Sequence, residues 1–94
     1  MSDELNLKDR IDAVIHSSKV DPHIWFQYEH LLEENPLVDL SQAKFPVIAK
    51  MTGGNVQVDG VVTRIGNIYA MRVPYSSLPE LVKNNDVLYL EASR

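Results

Sequence analysis

The chain has no cysteine, which excludes disulfides and thiol catalysis. It has no apolar run approaching the ~20 residues that a membrane-spanning helix needs. The N-terminal stretch MSDELNLKDR carries acids where a secretion signal carries basic residues, and no long apolar segment follows it. A soluble, cytoplasmic chain is the expectation. Basic residues are in the minority, nine against thirteen acidic. The net charge of -4 argues against nucleic acid, which needs a basic face.

What is present points to one globular domain. Ninety-four residues with 45% hydrophobic content are too apolar for a disordered chain. A chain this short buries a modest share of its surface, so its core must come from few elements.

Residues 1–40 read as a helical pair. Leu7, Ile11, Val14 and Ile15 fall at i, i+4, i+7 and i+8, one stripe of a helix over 6–17. Asp3 and Glu4 precede it, where negative charge suits a helix start. Asp21 followed by Pro22 is a stronger start signal, an N-cap ahead of a residue that needs no amide hydrogen. Ile24, Tyr28, Leu31 and Leu32 continue that second stripe, and Asn35-Pro36 ends it. Joined by a short link, the two helices are expected to pack antiparallel.

Residues 45–94 read as a small sheet with one helix. Phe45 to Met51 is an apolar run that suits a central strand. Thr52-Gly53-Gly54-Asn55 is a loop, and Val56 to Asp59 is ambiguous. Gly66-Asn67 has glycine first in a two-residue loop, the signature of a type II′ hairpin between 60–65 and 68–73. The register that follows pairs Ile65 with Ile68, Thr63 with Ala70 and Val61 with Arg72 on one face. Arg64 with Tyr69 and Val62 with Met71 occupy the other. Ser77 and Glu80 have capping-box spacing before a short helix carrying Leu78, Leu81 and Val82, and Asn84-Asn85 offers a left-handed residue to end it. Val87 to Glu91 is apolar on both faces through Leu90, which argues for a covered central strand.

Catalytic chemistry finds little support. His23 and His30 stand seven residues apart, too far along one helix to share a metal easily. His30 with Glu33 or Glu34 has metal-like spacing, but the plain reading of the three histidines is a solvated helix face. No serine sits in a G-x-S-x-G context. Gly53-Gly54 lacks the Lys and Ser/Thr of a phosphate loop. No catalytic residue, metal or cofactor is therefore assigned. Trp25 and Phe26 are adjacent, so one of them marks a contact surface or both pack on the sheet.

The order GVVTRIGNIYAMRVP, SSLPELVKNN, DVLYLEASR is similar to the second half of the propeptides of bacterial subtilisin-like serine peptidases and related peptidase inhibitors. The hairpin running into Val-Pro, the Leu-x-x-Leu-Val helix and the Asp-Val-x-Tyr-Leu-Glu-Ala closing strand carry the resemblance. It covers residues 45–94, about half the chain. It implies an α+β, ferredoxin-like sheet, β-α-β-β-α-β, preceded here by the N-terminal helical pair packed on that sheet. The first helix of that order belongs between Met51 and Gly60, where this chain has TGGNVQVD; an N-terminal helix is expected to take its place.

The resemblance further implies a binding module rather than an enzyme. Its partner would be a subtilisin-like serine protease, in cis or in trans, which it inhibits, helps to fold as an intramolecular chaperone, or both. In that family the sheet packs on surface helices of the protease and the C-terminal tail lies in the cleft as an added strand. Carried over, the tail residues are Glu91, Ala92, Ser93 and Arg94. The sheet-face residues are Thr63, Arg64, Tyr69, Met71 and Tyr89, with the interacting face undecided. The alternative is a ferredoxin-like regulatory or assembly domain that forms homodimers through its sheet, with no protease partner. Neither reading involves nucleic acid or membrane.

Overall fold

The computed structural model describes residues 3 to 93, with side chains from residue 7 onward. The chain is a small α+β domain: α1 (Asp3–Val14), α2 (Pro22–Glu34), β1 (Lys44–Met51), β2 (Val61–Ile65), β3 (Ile68–Pro74), a 3-10 turn (Tyr75–Ser77), α3 (Leu78–Lys83) and β4 (Val87–Ala92). The four strands form one sheet in the order β2-β3-β1-β4, with every neighbouring pair antiparallel. Among the described residues no helix is long and apolar enough to cross a membrane.

One face of the sheet is buried and the other is bare. Along β1 the side chains alternate strictly: Phe45, Val47, Ala49 and Met51 are buried. They join Tyr69, Met71 and Val73 of β3 and Val87 and Leu90 of β4 in a single core with Leu7, Ile11, Ile15, Ile24 and Tyr28 of the helices. All three helices therefore lie on the same side, where the helical stripes pack on the buried face of the sheet.

The local signals of α2 operate as the sequence predicts. Asp21 adopts an extended cap conformation and its side chain accepts from the His23 N–H, with Pro22 in the first turn. At the far end the Asn35 N–H donates to the Leu31 carbonyl, 2.8 Å. The two helices make most of their close backbone contacts elsewhere. α1 packs mainly on α3 and the 3-10 turn, whereas α2 packs on β4. The two helices meet through side chains: the Tyr28 hydroxyl donates to Asp12 Oδ1 at 3.1 Å, and the His16 and Trp25 rings lie edge to face at 4.4 Å. Helix α1 also stops at Val14, short of Ser17, because Ile15 to Lys19 turn back toward the sheet.

The hairpin turn has φ +61° at Gly66 and no positive φ at Asn67, the pattern of type II′. Ile65–Ile68, Arg64–Tyr69 and Thr63–Ala70 pair as the turn dictates, but a bulge at Val62 then moves Val61 opposite Met71 instead of Arg72. Residues 52–60 form no helix or strand. Buried Tyr69 holds this loop: its hydroxyl accepts from the Val56 N–H at 2.8 Å and donates to the Gly53 carbonyl at 3.2 Å.

Three further expectations are corrected. Ser77 has helical backbone angles and makes no capping hydrogen bond, because the 3-10 turn runs straight into α3 and leaves no extended cap position. Asn84 ends α3 with φ -73° and no left-handed residue; the carbonyls at this end are instead met by Lys19, whose Nζ donates to Val82 at 3.0 Å and Asn84 at 3.2 Å. Finally, β4 is an edge strand, paired on one side only with β1. Its outer rim is partly closed by the α1–α2 link: the Leu90 N–H donates to the Lys19 carbonyl at 2.7 Å and the Asp21 N–H donates to the Leu90 carbonyl at 2.9 Å.

Candidate interaction surface

The bare face of the sheet is the most distinctive surface on the chain. Cross-strand partners share a face, so register places its residues in rows. The first row runs Ile65, Ile68, Lys50, Tyr89, and the second Thr63, Ala70, Ile48, Glu91. Arg72 stands opposite Pro46, and Lys44 opposite Pro74. Ile65 is 80% exposed and Ile68 38%, while Ile48, Ala70 and Tyr89 are half-buried among their neighbours. Among the described residues no helix covers these positions, and the apolar stripe runs across all four strands. Single exposed apolar residues are ordinary, but a contiguous set rimmed by polar groups marks a contact surface.

The residues singled out from sequence divide between the two faces. Thr63 and Tyr89 stand on the bare face. Tyr69 is 0% exposed and Met71 2%, both under the helices, so neither offers a surface to a partner. Arg64 projects on their side, at the margin of the covered face, with its guanidinium carbon 5.6 Å from the centre of the Tyr69 ring. The Tyr89 hydroxyl is held above its ordinary pKa, first by desolvation and then by the carboxylates of Asp21 and Glu91.

The proposed tail is partly strand. β4 continues through Ala92, so Glu91 and Ala92 are ladder residues, paired with Ile48 and Val47. Ala92 is buried and its N–H donates to Asp21 Oδ2 at 3.1 Å. Ser93 follows, half-buried, and Arg94 lies outside the described residues. Asp21 is thereby the pin of this corner. Its carboxylate serves His23 and Ala92 together, and its pKa is lowered chiefly by the His23 N–H, with the Ala92 N–H and the His23 ring adding to it. Sequence reasoning found Asp21 as a helix cap; its bond to a residue 71 positions away had no local signal.

A concavity of about 330 Å3 lies between the 52–60 loop and α3, with Asp59, Ser77, Glu80 and Asn84 around Val73 and Leu81. Among the described residues no three His, Cys, Asp or Glu side chains converge on a point that could hold a metal ion. His30 Nε2 lies 3.1 Å from Glu34 Oε1 on an exposed turn. The exposed ring of Phe26 lies 5.0 Å from that of Trp25, which is itself half-buried beside His16.

No protein-family model, curated protein or solved structure matches this chain.

Proposed function

We propose that this chain is a docking module that binds a subtilisin-like serine protease through the bare face of its sheet, as an inhibitor, a folding assistant or both. The observation that carries the reading is the uncovered apolar stripe Ile65–Ile68–Ile48 with Tyr89 beside it. Such a face, backed by a packed core and bordered by charge, is suited to burying one side of a partner. The strand order β2-β3-β1-β4, antiparallel throughout, is the order of the ferredoxin-like sheet to which the propeptide resemblance points. In that fold a helix would join the first two strands. Here the 52–60 loop makes the connection, and the N-terminal helices help to cover the same side. Binding, not catalysis, is the role. The strand-like insertion into the cleft falls to Ser93 and Arg94, because Glu91 and Ala92 are already engaged in β4.

The test is residual activity of a panel of subtilisin-like proteases, together with calorimetric titration, using the intact chain and the Ile68→Asp variant. Ile68 faces solvent, so the variant should fold, which its circular dichroism would establish. Inhibition or tight binding by the intact chain, lost in Ile68→Asp, is expected. Absence of binding to every protease in the panel would overturn the reading.

A second reading, self-association through the sheet, is favoured by one feature. Among the described residues the outer edge of β2 has no strand partner, and Val62 and Ile65 are exposed along it. A dimer in sedimentation equilibrium, abolished by Arg64→Pro, which removes an N–H on the outer edge of β2, would support this reading over the protease.

A further inference from the structure

The bare face carries a charge pattern that defines the chemistry of its partner. The four strands hold four of the nine basic residues of the chain but only one of its thirteen acidic residues. Three of those cations, Lys44, Lys50 and Arg72, are exposed on the bare face around the isoleucine stripe. The lone acid, Glu91, shares a row with Ile48. None of the three cations forms an ion pair with a described carboxylate. The other twelve acids and four of the other five bases lie on helices and loops, and Arg94 lies outside the described residues. A chain of net charge -4 thus turns a positive, apolar face outward.

We propose that this face receives a protein surface in which an apolar ridge is flanked by carboxylates, such as one or two helices with Glu or Asp beside Ala, Leu or Val. The inference rests on reading the bare face as the docking site and adds the partner's chemistry to it. Docking would cover the isoleucines and bring each unpaired cation a counter-charge at the rim. Complementary charge of this kind fixes register and speeds encounter more than it adds affinity. The same pattern rejects other occupants. A second copy laid face to face would set three cations against three, with one acid on each side, and like charges across an interface are costly. A nucleic acid or an anionic bilayer would meet only three cations and would face the acids on the rest of the chain.

The experiment uses two amphipathic helical peptides with the same apolar stripe, one flanked by Glu and one by Lys. They are titrated into the isotope-labelled chain at low salt and followed by amide shifts. Phosphatidylserine vesicles and a DNA duplex form separate arms. The Glu peptide is expected to shift Ile48, Ile65, Ile68 and Ala70, and the Lys peptide to leave them unmoved. Removing one cation should weaken binding roughly two- to fivefold. The double variant Lys50→Glu/Arg72→Glu should reverse the preference, and added salt should weaken binding as screening sets in. Equal response to the two peptides, or an unchanged preference in the double variant, would overturn the proposal. So would stronger binding of vesicles or duplex through the same residues, or dimerisation that buries them. Protease titrations separate this inference from its premise. Binding lost in Ile68→Asp but indifferent to Lys50→Glu and to salt would remove the charge assignment and leave the docking face. Binding unaffected by Ile68→Asp would remove the docking face as the protease site, and the peptide preference would still decide the charge assignment.

Discussion

Replacing Asp21 with alanine should destabilise the domain out of proportion to the size of the change. The carboxylate accepts from the His23 N–H at 3.1 Å as the cap of α2, and from the Ala92 N–H at 3.1 Å at the end of β4. Its side chain is 15% exposed, so water replaces these bonds poorly. Loss of an N-cap costs about 0.5–2 kcal/mol. Leaving the Ala92 N–H without its acceptor adds about 1 kcal/mol or more. A total of roughly 2–3 kcal/mol is expected, or roughly 8–24 °C in melting temperature for a domain of this size. Asp21→Asn restores one acceptor oxygen but presents its amide to the other N–H, so it should fall between wild type and alanine. The pH dependence separates charge from shape. Asp21 has a folded pKa below its ordinary value, so its contribution is full above the unfolded carboxylate pKa of about 3.9 and fades as pH falls through the folded value. Wild type should therefore lose stability below about pH 4 more steeply than Asp21→Asn, which has no proton to gain there. Urea denaturation of the three proteins from pH 7 to pH 2.5 is the assay. An Asp21→Ala midpoint within 0.5 kcal/mol of wild type, or parallel acid limbs for wild type and Asp21→Asn, would refute the reasoning; the half-unit bound is the ordinary scatter of surface substitutions, roughly 0.5 kcal/mol.

Three other substitutions should behave as follows. Gly60 has φ +87°, and an added Cβ would lie 2.6 Å from Val73 Cγ1 and 2.8 Å from the Arg72 carbonyl oxygen, so Gly60→Ala should cost roughly 2 kcal/mol or more through strain and overpacking; an unchanged denaturation midpoint would contradict this. Ser77→Ala should change stability by less than about 0.5 kcal/mol, the scale for a side chain without a special role, because the hydroxyl makes no cap bond; a loss of cap size would mean the capping box does form in solution. Leu90 is fully buried, and Leu90→Ala should cost about 2–5 kcal/mol by chemical denaturation, although its strand is at the edge of the sheet.

Leu90 also shows where the sequence can mislead. The run Val87-Leu88-Tyr89-Leu90 reads as a strand covered on both faces. Its continuity has another cause: a register shift opposite Lys50 and Met51 takes Leu88 out of the alternation. Val87 and Leu90 then share the core face, Tyr89 stands on the bare one, and Leu88 is exposed. A bulge defeats a period-two reading, and nothing in the local sequence marks it. Signals confined to a few residues fared better. Asp21-Pro22 and Gly66-Asn67 specify their own geometry, and the alternation of Phe45 to Met51 located the central strand. The Ser77–Glu80 spacing failed because capping needs an extended cap residue, and the preceding 3-10 turn denies it. The bare face was half legible. Its hairpin register near the turn was correct, but both faces of the hairpin hold apolar residues, so only the packing of the helices decides that Tyr69 and Met71 lie beneath them and Ile65 and Ile68 do not.

The two edges of the sheet are finished differently, and this bears on how a partner strand could add. At β4 the backbone groups of Leu90 are taken by Lys19 and Asp21, and the N–H of Ala92 is taken by the Asp21 carboxylate. Strand addition along this stretch would have to displace the α1–α2 link and uncap α2 at once. β2 has no such cover among the described residues, and Arg64 is the only charge along its five residues. A strand-adding partner is therefore directed to β2 or to the segment beyond Ala92, while a face-docking partner meets the isoleucine stripe from the side that both edges leave open. Asp21 joins these properties in one residue: the carboxylate that starts α2 also closes this stretch of the β4 edge to an added strand.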